Sequence, residues 1–297
     1  MACDSLALRD SHDATSPGSL CSYIQWQGPS SATADASPVC PLFPYRESPG
    51  AQQQTGFLDR TVPFGDRPVR YQVYVPFDYT SKREWPVILF LHGAGERGSD
   101  GLRQTHVGLG AAIRKSRDRF PAIVVMPQAP SESIWRGTVA EMSLAALEQT
   151  AKEFRGDRSR TYIMGLSMGG YGVWTLALKH PTKFAAIVPV CGGVLPPSHL
   201  TRLDAGLREK DPYAELARRL GSTPIWMFHG ALDSLVPPEE SRRIHKAFNQ
   251  AGHRINYTEY PDVGHESWDP AFGDPMLWDW LFQQRRSAND GGGKHER

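Results

Sequence analysis

The segment Gly165-Leu166-Ser167-Met168-Gly169 combines a candidate nucleophile with the residue types that a sharp turn requires. It follows an apolar stretch typical of a strand and precedes a stretch with helical spacing, which is the setting of a G-x-S-x-G nucleophile elbow. Side chains two residues before and two after the serine would collide in such a turn, and glycine at both positions removes the collision. The pattern predicts that the Ser167 hydroxyl is exposed at the end of a strand.

A serine hydroxyl is a poor nucleophile at neutral pH unless a base accepts its proton and a third group orients that base. Among the ten histidines, His265 is the best candidate, because it follows the last predicted strand in the loop PDVGHESW. Asp233 follows the preceding strand and is the predicted acid, which would hold the imidazole in the tautomer that accepts the serine proton. Asp262 is the main rival, with Asp211 behind it, but Asp262 lies only three residues from the base. His229 is interpreted as a packed or turn-supporting residue.

A tetrahedral intermediate formed at Ser167 would need N–H donors for its oxyanion. The residue after the nucleophile, Met168, is the first candidate donor. The second is Gly93 or Ala94, in the glycine-rich loop HGAGERG that follows the apolar segment PVILFL. This loop lacks the G-K-[ST] ending of a phosphate-binding loop, which argues against nucleotide binding.

Three further side chains are candidates for the wall of a substrate pocket: Trp135, Trp268 and Glu96. For each tryptophan, packing in the core or on the surface is an equally good interpretation. Glu96 is expected mainly to pair with Arg97 and hold the loop, with direct substrate contact as the alternative. The long segment between residues 192 and 223 is expected to cover part of the site.

The elements that must position these residues alternate between strands and helices along the chain. Strands are predicted at Arg70–Val75, Pro86–Leu91, Ala122–Met126, Thr161–Gly165, Ala185–Val190, Pro224–Phe228 and Asn256–Tyr260, and helices at Val139–Phe154, Tyr171–Lys179, Glu239–Gln250 and Pro275–Arg285. This alternation predicts an α/β fold with a mostly parallel central sheet and helices on both faces. Ligands of such sheets bind beyond the carboxyl ends of the strands, where the candidate catalytic residues fall.

Length and composition set the outer limits of the interpretation. The chain has 297 residues, enough for one large α/β domain, and its 33 lysines and arginines nearly balance 32 aspartates and glutamates. Near-neutral charge provides no general attraction to nucleic acid or to a membrane surface, and neither is expected as a partner. The four cysteines show no metal-binding spacing, so no metal is expected.

Residues 1–55 are rich in serine, alanine, proline and glutamine, and they are predicted to form a disordered tail. Residues 56–286 are the predicted catalytic domain, and residues 287–297 are a second predicted tail. No apolar stretch approaches the roughly 20 residues of a bilayer-spanning helix, and no ordinary signal peptide is recognisable. A cytoplasmic location is therefore the default expectation, and the oligomeric state is left open.

Four segments together, HGAGERGSDG, GLSMGGYGVW, FHGALDSLVP and YPDVGHESWD, resemble the esterase and predicted-peptidase group of the α/β-hydrolase superfamily. That group neighbours dienelactone hydrolases, feruloyl and acetylxylan esterases, polyhydroxybutyrate depolymerases and the catalytic domains of prolyl oligopeptidases. The resemblance covers roughly residues 56–286. It implies a serine nucleophile at Ser167, an acid at Asp233 and a base at His265, with no metal or organic cofactor.

The resemblance favours a serine carboxylesterase that hydrolyses short-chain acyl esters, with acetylated or feruloylated carbohydrate among the expected substrates. A peptidase acting on small peptides is the alternative within the same group. A binding protein that has lost catalysis is the alternative from another class, because a fold alone never establishes an activity.

Overall fold

The structure, a computed structural model, describes residues 54–199 and 201–286. The predicted N-terminal tail lies outside the described residues except at its last two positions. The predicted C-terminal tail, residues 287–297, also lies outside them. The first strand begins at Gly56 and the last helix ends at Gln283.

An eight-stranded sheet forms the centre of the fold, with the strand order β1-β2-β4-β3-β5-β6-β7-β8. Its strands are β1 (Gly56–Phe64), β2 (Arg67–Val75), β3 (Trp85–Leu91), β4 (Ile123–Pro127), β5 (Gly156–Leu166), β6 (Ala186–Val190), β7 (Trp226–Gly230) and β8 (Asn256–Tyr260). Strand β2 pairs antiparallel with both β1 and β4, and every other pairing is parallel. The predicted mostly parallel α/β sheet is therefore confirmed.

Helices cover both faces of this sheet and explain why its central strands are continuously apolar. All seven residues of β3 and all five of β4 are buried, as expected for strands packed on both sides. The helices are α1 (Leu109–Lys115), α2 (Gly137–Glu153), α3 (Met168–Lys179), α4 (Pro212–Leu220), α5 (Glu239–Gln250), α6 (Trp268–Gly273) and α7 (Pro275–Gln283). Residues of α2 to α5 share one core cluster, whereas α1, α6 and α7 pack into the cluster on the opposite face.

The helix directly behind the candidate nucleophile belongs to the core. Ten of the twelve residues of α3 are buried, including Trp174 with no exposed surface. A buried tryptophan stabilises the fold by several kcal/mol relative to alanine, so the start of α3 is held rigidly against the sheet. In the part of the chain that is described, no helix is both long enough and apolar enough to cross a bilayer.

Candidate active site

The predicted elbow joins β5 to α3, with Ser167 between them. Ser167 has φ 52° and ψ −117°, a left-handed conformation that costs a non-glycine residue about 1–3 kcal/mol. Its own N–H donates to the Val190 carbonyl at 2.9 Å, which ties the turn to the neighbouring strand. A Cβ atom at Gly169 would lie 1.9 Å from the Leu91 carbonyl oxygen. Glycine is therefore required there by close backbone approach as well as by the turn itself.

The structure brings Ser167, His265 and Asp233 into one hydrogen-bonded line. The Nε2 atom of His265 is 2.9 Å from the Ser167 hydroxyl oxygen, and its Nδ1 atom is 2.7 Å from Oδ2 of Asp233. Asp233 has 5% of its surface exposed, and its side chain has none. A buried carboxylate on Nδ1 fixes the proton there and leaves Nε2 free to accept the serine proton.

Four donors surround the Asp233 carboxylate. Oδ1 accepts the N–H groups of Leu235 and Val236, each at 2.9 Å, and Oδ2 lies 3.2 Å from Nε2 of His229 as well as against His265. Burial alone would raise the pKa of this carboxyl group. The hydrogen bonds from the two histidines and from the backbone outweigh that effect and hold its pKa well below its usual range. The group is therefore an anion throughout the neutral pH range.

The two rival acids occupy other positions. Asp262 is exposed, and no hydrogen bond joins it to His265 in the described part of the chain. Asp211 precedes α4, where its side chain accepts the N–H groups of Tyr213 and Ala214 as an N-cap.

The candidate oxyanion donors belong to the first residues of two helical turns. Met168 begins α3, and Ala94 begins a short 3₁₀ turn, Ala94–Glu96, after β3. The first N–H groups of a helix have no partner within it, so they are available to an anion. Ala94 lines both cavities at Ser167, whereas Gly93 lines only one of them. This difference favours Ala94 over Gly93 as the second donor.

Two buried aromatic side chains, those of His92 and Trp135, hold the glycine-rich loop after β3 against the core. The Nδ1 atom of His92 lies 2.6 Å from the Gly93 carbonyl, and its Nε2 accepts the Ala129 N–H at 2.9 Å. Trp135 donates its indole N–H to the His92 carbonyl at 2.9 Å, and the two rings meet edge to face. Trp135 is 2% exposed and lines neither of the cavities at Ser167. It therefore supports the loop from the core instead of forming a pocket wall.

The expected ion pair between Glu96 and Arg97 is replaced by other contacts. Arg97 donates from Nε to the Ala94 carbonyl at 2.9 Å and from Nη1 to the Ser133 carbonyl at 3.3 Å. Burial raises the pKa of the Glu96 carboxyl, and backbone N–H groups offset this only in part. Its Oε2 atom is buried without a hydrogen-bond partner among the described residues.

Ser167 lines two cavities. One, of about 370 Å³, contains His265 and has a largely apolar wall that includes Trp268, with Glu96 also lining it. Trp268 meets the His265 ring edge to face at 5.5 Å between centroids. The other cavity, of about 270 Å³, contains Met168, and its lining includes charged side chains from three loops. These charged residues are Arg97, Glu132 and Arg202.

The segment between residues 192 and 223 covers part of the site, as the sequence suggests. His199, Thr201, Arg202 and Leu203 line the second cavity, and α4 follows them on the outside of the sheet. Sequence reasoning did not assign Arg202 or His92 to the site. For His92 the available signal was its position directly before the glycines of this loop, at the end of an apolar strand.

One group of side chains in the described ranges brings potential metal ligands together: Cys191, Asp233 and His265, with ligand atoms within 4.8 Å of one another. Burial raises the pKa of the Cys191 thiol, and the nearby Asp233 charge adds to this, which disfavours the thiolate that a metal needs. The carboxylate and the imidazole are already bonded to each other. The arrangement is better suited to proton transfer than to metal binding.

Comparisons with known proteins agree with this geometry. A sequence model of the Prolyl oligopeptidase family matches residues 135–276. A thermostable esterase of known structure is 32% identical with a TM-score of 0.64, over 77% of this chain and 63% of that one. A poly(3-hydroxyoctanoate) depolymerase from Pseudomonas fluorescens is 24% identical over 76% of this chain and 83% of its own length.

An uncharacterized secreted protein from Arthroderma benhamiae is 25% identical over 84% of this chain, yet the match spans only 28% of that protein. The chain therefore corresponds to little more than a quarter of this fungal relative and to less than two thirds of the thermostable esterase. The chain has the α/β-hydrolase fold, and its sequence and site are similar to those of esterases and prolyl oligopeptidase-type peptidases.

Proposed function

We propose that the protein is a carboxylesterase for short-chain acyl esters, with Ser167 as nucleophile, His265 as general base and Asp233 as the acid that orients the base. The observation that carries the proposal is the unbroken hydrogen-bonded line from the serine hydroxyl through the imidazole to a buried carboxylate. Relatives named as an esterase and a poly(3-hydroxyoctanoate) depolymerase support ester hydrolysis as the reaction.

In the proposed reaction, the Ser167 oxygen attacks the ester carbonyl carbon while Nε2 of His265 takes the serine proton. The carbonyl oxygen becomes an oxyanion and accepts hydrogen bonds from the N–H groups of Ala94 and Met168. His265 then gives its proton to the leaving alcohol oxygen, and an acyl-enzyme remains. A water molecule, deprotonated by His265, attacks the acyl-enzyme and releases the acid and the free serine.

The proton transfer to the alcohol assigns the two sides of the site. The leaving oxygen must come within hydrogen-bond distance of Nε2 of His265. The alcohol therefore occupies the apolar cavity that contains His265 and Trp268. The acyl group extends the other way, over Met168, into the cavity lined by Arg97 and Arg202.

The size of the cavities supports small substrates. Pockets for drug-sized ligands run from about 300 to 1,000 Å³, and the acyl-side cavity has about 270 Å³. An acyl chain of a few carbons fits such a space, whereas a long fatty acyl chain exceeds it.

The first experiment is hydrolysis of p-nitrophenyl acetate and butyrate by the wild-type protein and by Ser167→Ala, with a fluorophosphonate labelling reaction alongside. Ser143→Ala is the matched control, because its hydroxyl bonds only to the Ala140 carbonyl inside α2. We expect turnover and labelling in the wild type and the control, and neither in Ser167→Ala. Turnover that persists in Ser167→Ala would exclude Ser167 as the nucleophile.

Peptidase activity is the second candidate, favoured by the match to the Prolyl oligopeptidase family. Paired substrates that share one acyl group, a p-nitrophenyl ester and a p-nitroanilide, separate the two functions. Faster turnover of the anilide would replace the esterase proposal with the peptidase one. A folded wild-type protein that shows neither turnover nor labelling would support a non-catalytic binding protein.

The compartment is a separate question. The sequence favours a cytoplasmic location by default, whereas the fungal relative is named as a secreted protein. Measuring the esterase activity in medium and in cell fractions of the source organism distinguishes these locations.

A further inference from the structure

A second histidine, His229, contacts the carboxylate that holds His265. His229 is the last residue but one of β7 and has no exposed surface. Its Nε2 atom lies 3.2 Å from Oδ2 of Asp233 and 2.9 Å from the Val236 carbonyl oxygen. Its Nδ1 atom lies 2.7 Å from the hydroxyl oxygen of Ser241, which is buried near the start of α5.

These contacts determine which nitrogen carries the proton. Both neighbours of Nε2, the Asp233 carboxylate and the Val236 carbonyl, are acceptors only, so Nε2 must be the donor. In the neutral ring, Nδ1 is then the acceptor, and the Ser241 hydroxyl donates to it. Ser241 therefore fixes the tautomer of His229 in the way that Asp233 fixes the tautomer of His265.

We propose that His229, held by Ser241, is a positioning residue for catalysis that sets the orientation and charge of the Asp233 carboxylate. Without this donor, Oδ2 has only His265 as a hydrogen-bond partner. The carboxylate is then free to turn about the axis that its two backbone bonds on Oδ1 define. A turned carboxylate holds the His265 ring less firmly, and a near-attack geometry is sensitive to small displacements.

The inference rests on the proposed catalytic role of Asp233, and it predicts an effect on the chemical step alone. His229→Asn removes the Nε2 donor and is expected to lower kcat about tenfold with KM unchanged, in line with the loss of one hydrogen bond to a charged group. His229→Gln can return an N–H to the position of Nε2, and it is expected to restore kcat to within about threefold of wild type.

A double-mutant cycle with Asp233→Ala distinguishes positioning from simple structural support. Alanine is preferred to asparagine, because an asparagine amide would place a new N–H opposite His229. If His229 acts through the carboxylate, His229→Asn costs nothing further once Asp233 is alanine. An equal loss in both backgrounds, or a wild-type kcat for His229→Asn, would overturn the proposal.

A second variant and a second assay cover the cases in which His229→Asn does not fold or the wild type shows no esterase activity. If His229→Asn does not fold, the same cycle is made with Ser241→Ala, which leaves the ring in place and releases its tautomer. If the wild type hydrolyses no ester, the proposed function fails, and the cycle is read from the rate of fluorophosphonate labelling of Ser167. That rate depends on His265 and Asp233 but needs no ester substrate, so the two failures are distinguishable.

Discussion

Replacing Asp233 with asparagine is the sharpest test of the proposed acid, because the shape of the side chain is nearly unchanged. Oδ1 accepts two backbone N–H groups, from Leu235 and Val236, at 2.9 Å each. Oδ2 faces two imidazoles, with His265 Nδ1 at 2.7 Å and His229 Nε2 at 3.2 Å. The amide of asparagine has one oxygen and one NH₂ group. Its oxygen can accept either from the two backbone N–H groups or from the imidazoles, and its NH₂ group then faces the donors on the other side.

The orientation of the amide follows from counting opposed donors. With the amide oxygen toward the backbone, its NH₂ group opposes the His229 N–H only, since His265 can change tautomer. With the oxygen toward the imidazoles, the NH₂ group opposes two backbone N–H groups that cannot change. The first orientation is favoured, and it places the proton of His265 on Nε2, where the imidazole no longer accepts the Ser167 proton.

The expected loss in kcat is about 10³- to 10⁴-fold, as the same substitution gives about 10⁴ in a well-studied triad. The opposed donor at His229 also lowers the free energy of unfolding by about 1–3 kcal/mol. The assay is kcat and KM for p-nitrophenyl butyrate together with urea unfolding. Asp262→Asn, at an exposed carboxylate, is the matched control and is expected to change neither quantity. A kcat for Asp233→Asn within tenfold of wild type, or an equal loss in Asp262→Asn, would refute the reasoning.

Two further predictions concern stability. Burial lowers the pKa of His92 from 6.5 to about 4. Between these pH values the unfolded chain therefore binds a proton that the folded chain lacks. The free energy of unfolding falls by up to about 3 kcal/mol as the pH drops through this window. Urea unfolding at several pH values should show a flatter pH dependence for His92→Gln than for wild type, and equal slopes would contradict the assignment. Gly169→Ala places a Cβ 1.9 Å from a backbone oxygen, whereas Gly95→Ala meets nothing within 4 Å. We expect Gly169→Ala to lower the free energy of unfolding by about 3 kcal/mol or more and Gly95→Ala to change it little. Similar melting temperatures for the two variants would show that the elbow tolerates a side chain.

The hydrogen-bonded line of Ser167, His265 and Asp233 was predictable from the sequence, because parallel strands bring their carboxyl ends to one edge of the sheet. Ser167, Asp233 and His265 follow β5, β7 and β8, so the alternating pattern already places them at the same edge of the sheet. Each strand is identified from the residues within it, and the rule that parallel strands share one carboxyl edge applies to every sheet of this kind. No long-range contact had to be guessed.

Other elements were missed for reasons that the structure makes plain. Helix α4 begins with Asp211 as N-cap and Pro212 as its first residue, a start signal that was present in the sequence but was attributed to a covering loop. Strand β1 contains Pro63 and carries mixed side chains, as an edge strand does, and its alternation is therefore weak. The rest of the site depends on contacts between distant segments, such as the indole of Trp135 on the His92 carbonyl, 43 residues away.

The β7 loop shows why some functional contacts are nevertheless encoded locally. His229 and the Val236 carbonyl that it contacts are only seven residues apart, and Asp233 lies between them. The tight turn after Gly230 folds this segment back on itself, so Asp233 and three of the four donors around its carboxylate come from one continuous stretch. A substitution at His229 or Val236 therefore alters the surroundings of Asp233 directly, whereas the walls of the cavity that contains Met168 come from separate loops. The surroundings of Asp233 are thus set largely by one short stretch, whereas Ser167 and His265 reach it only through the long-range packing of the sheet.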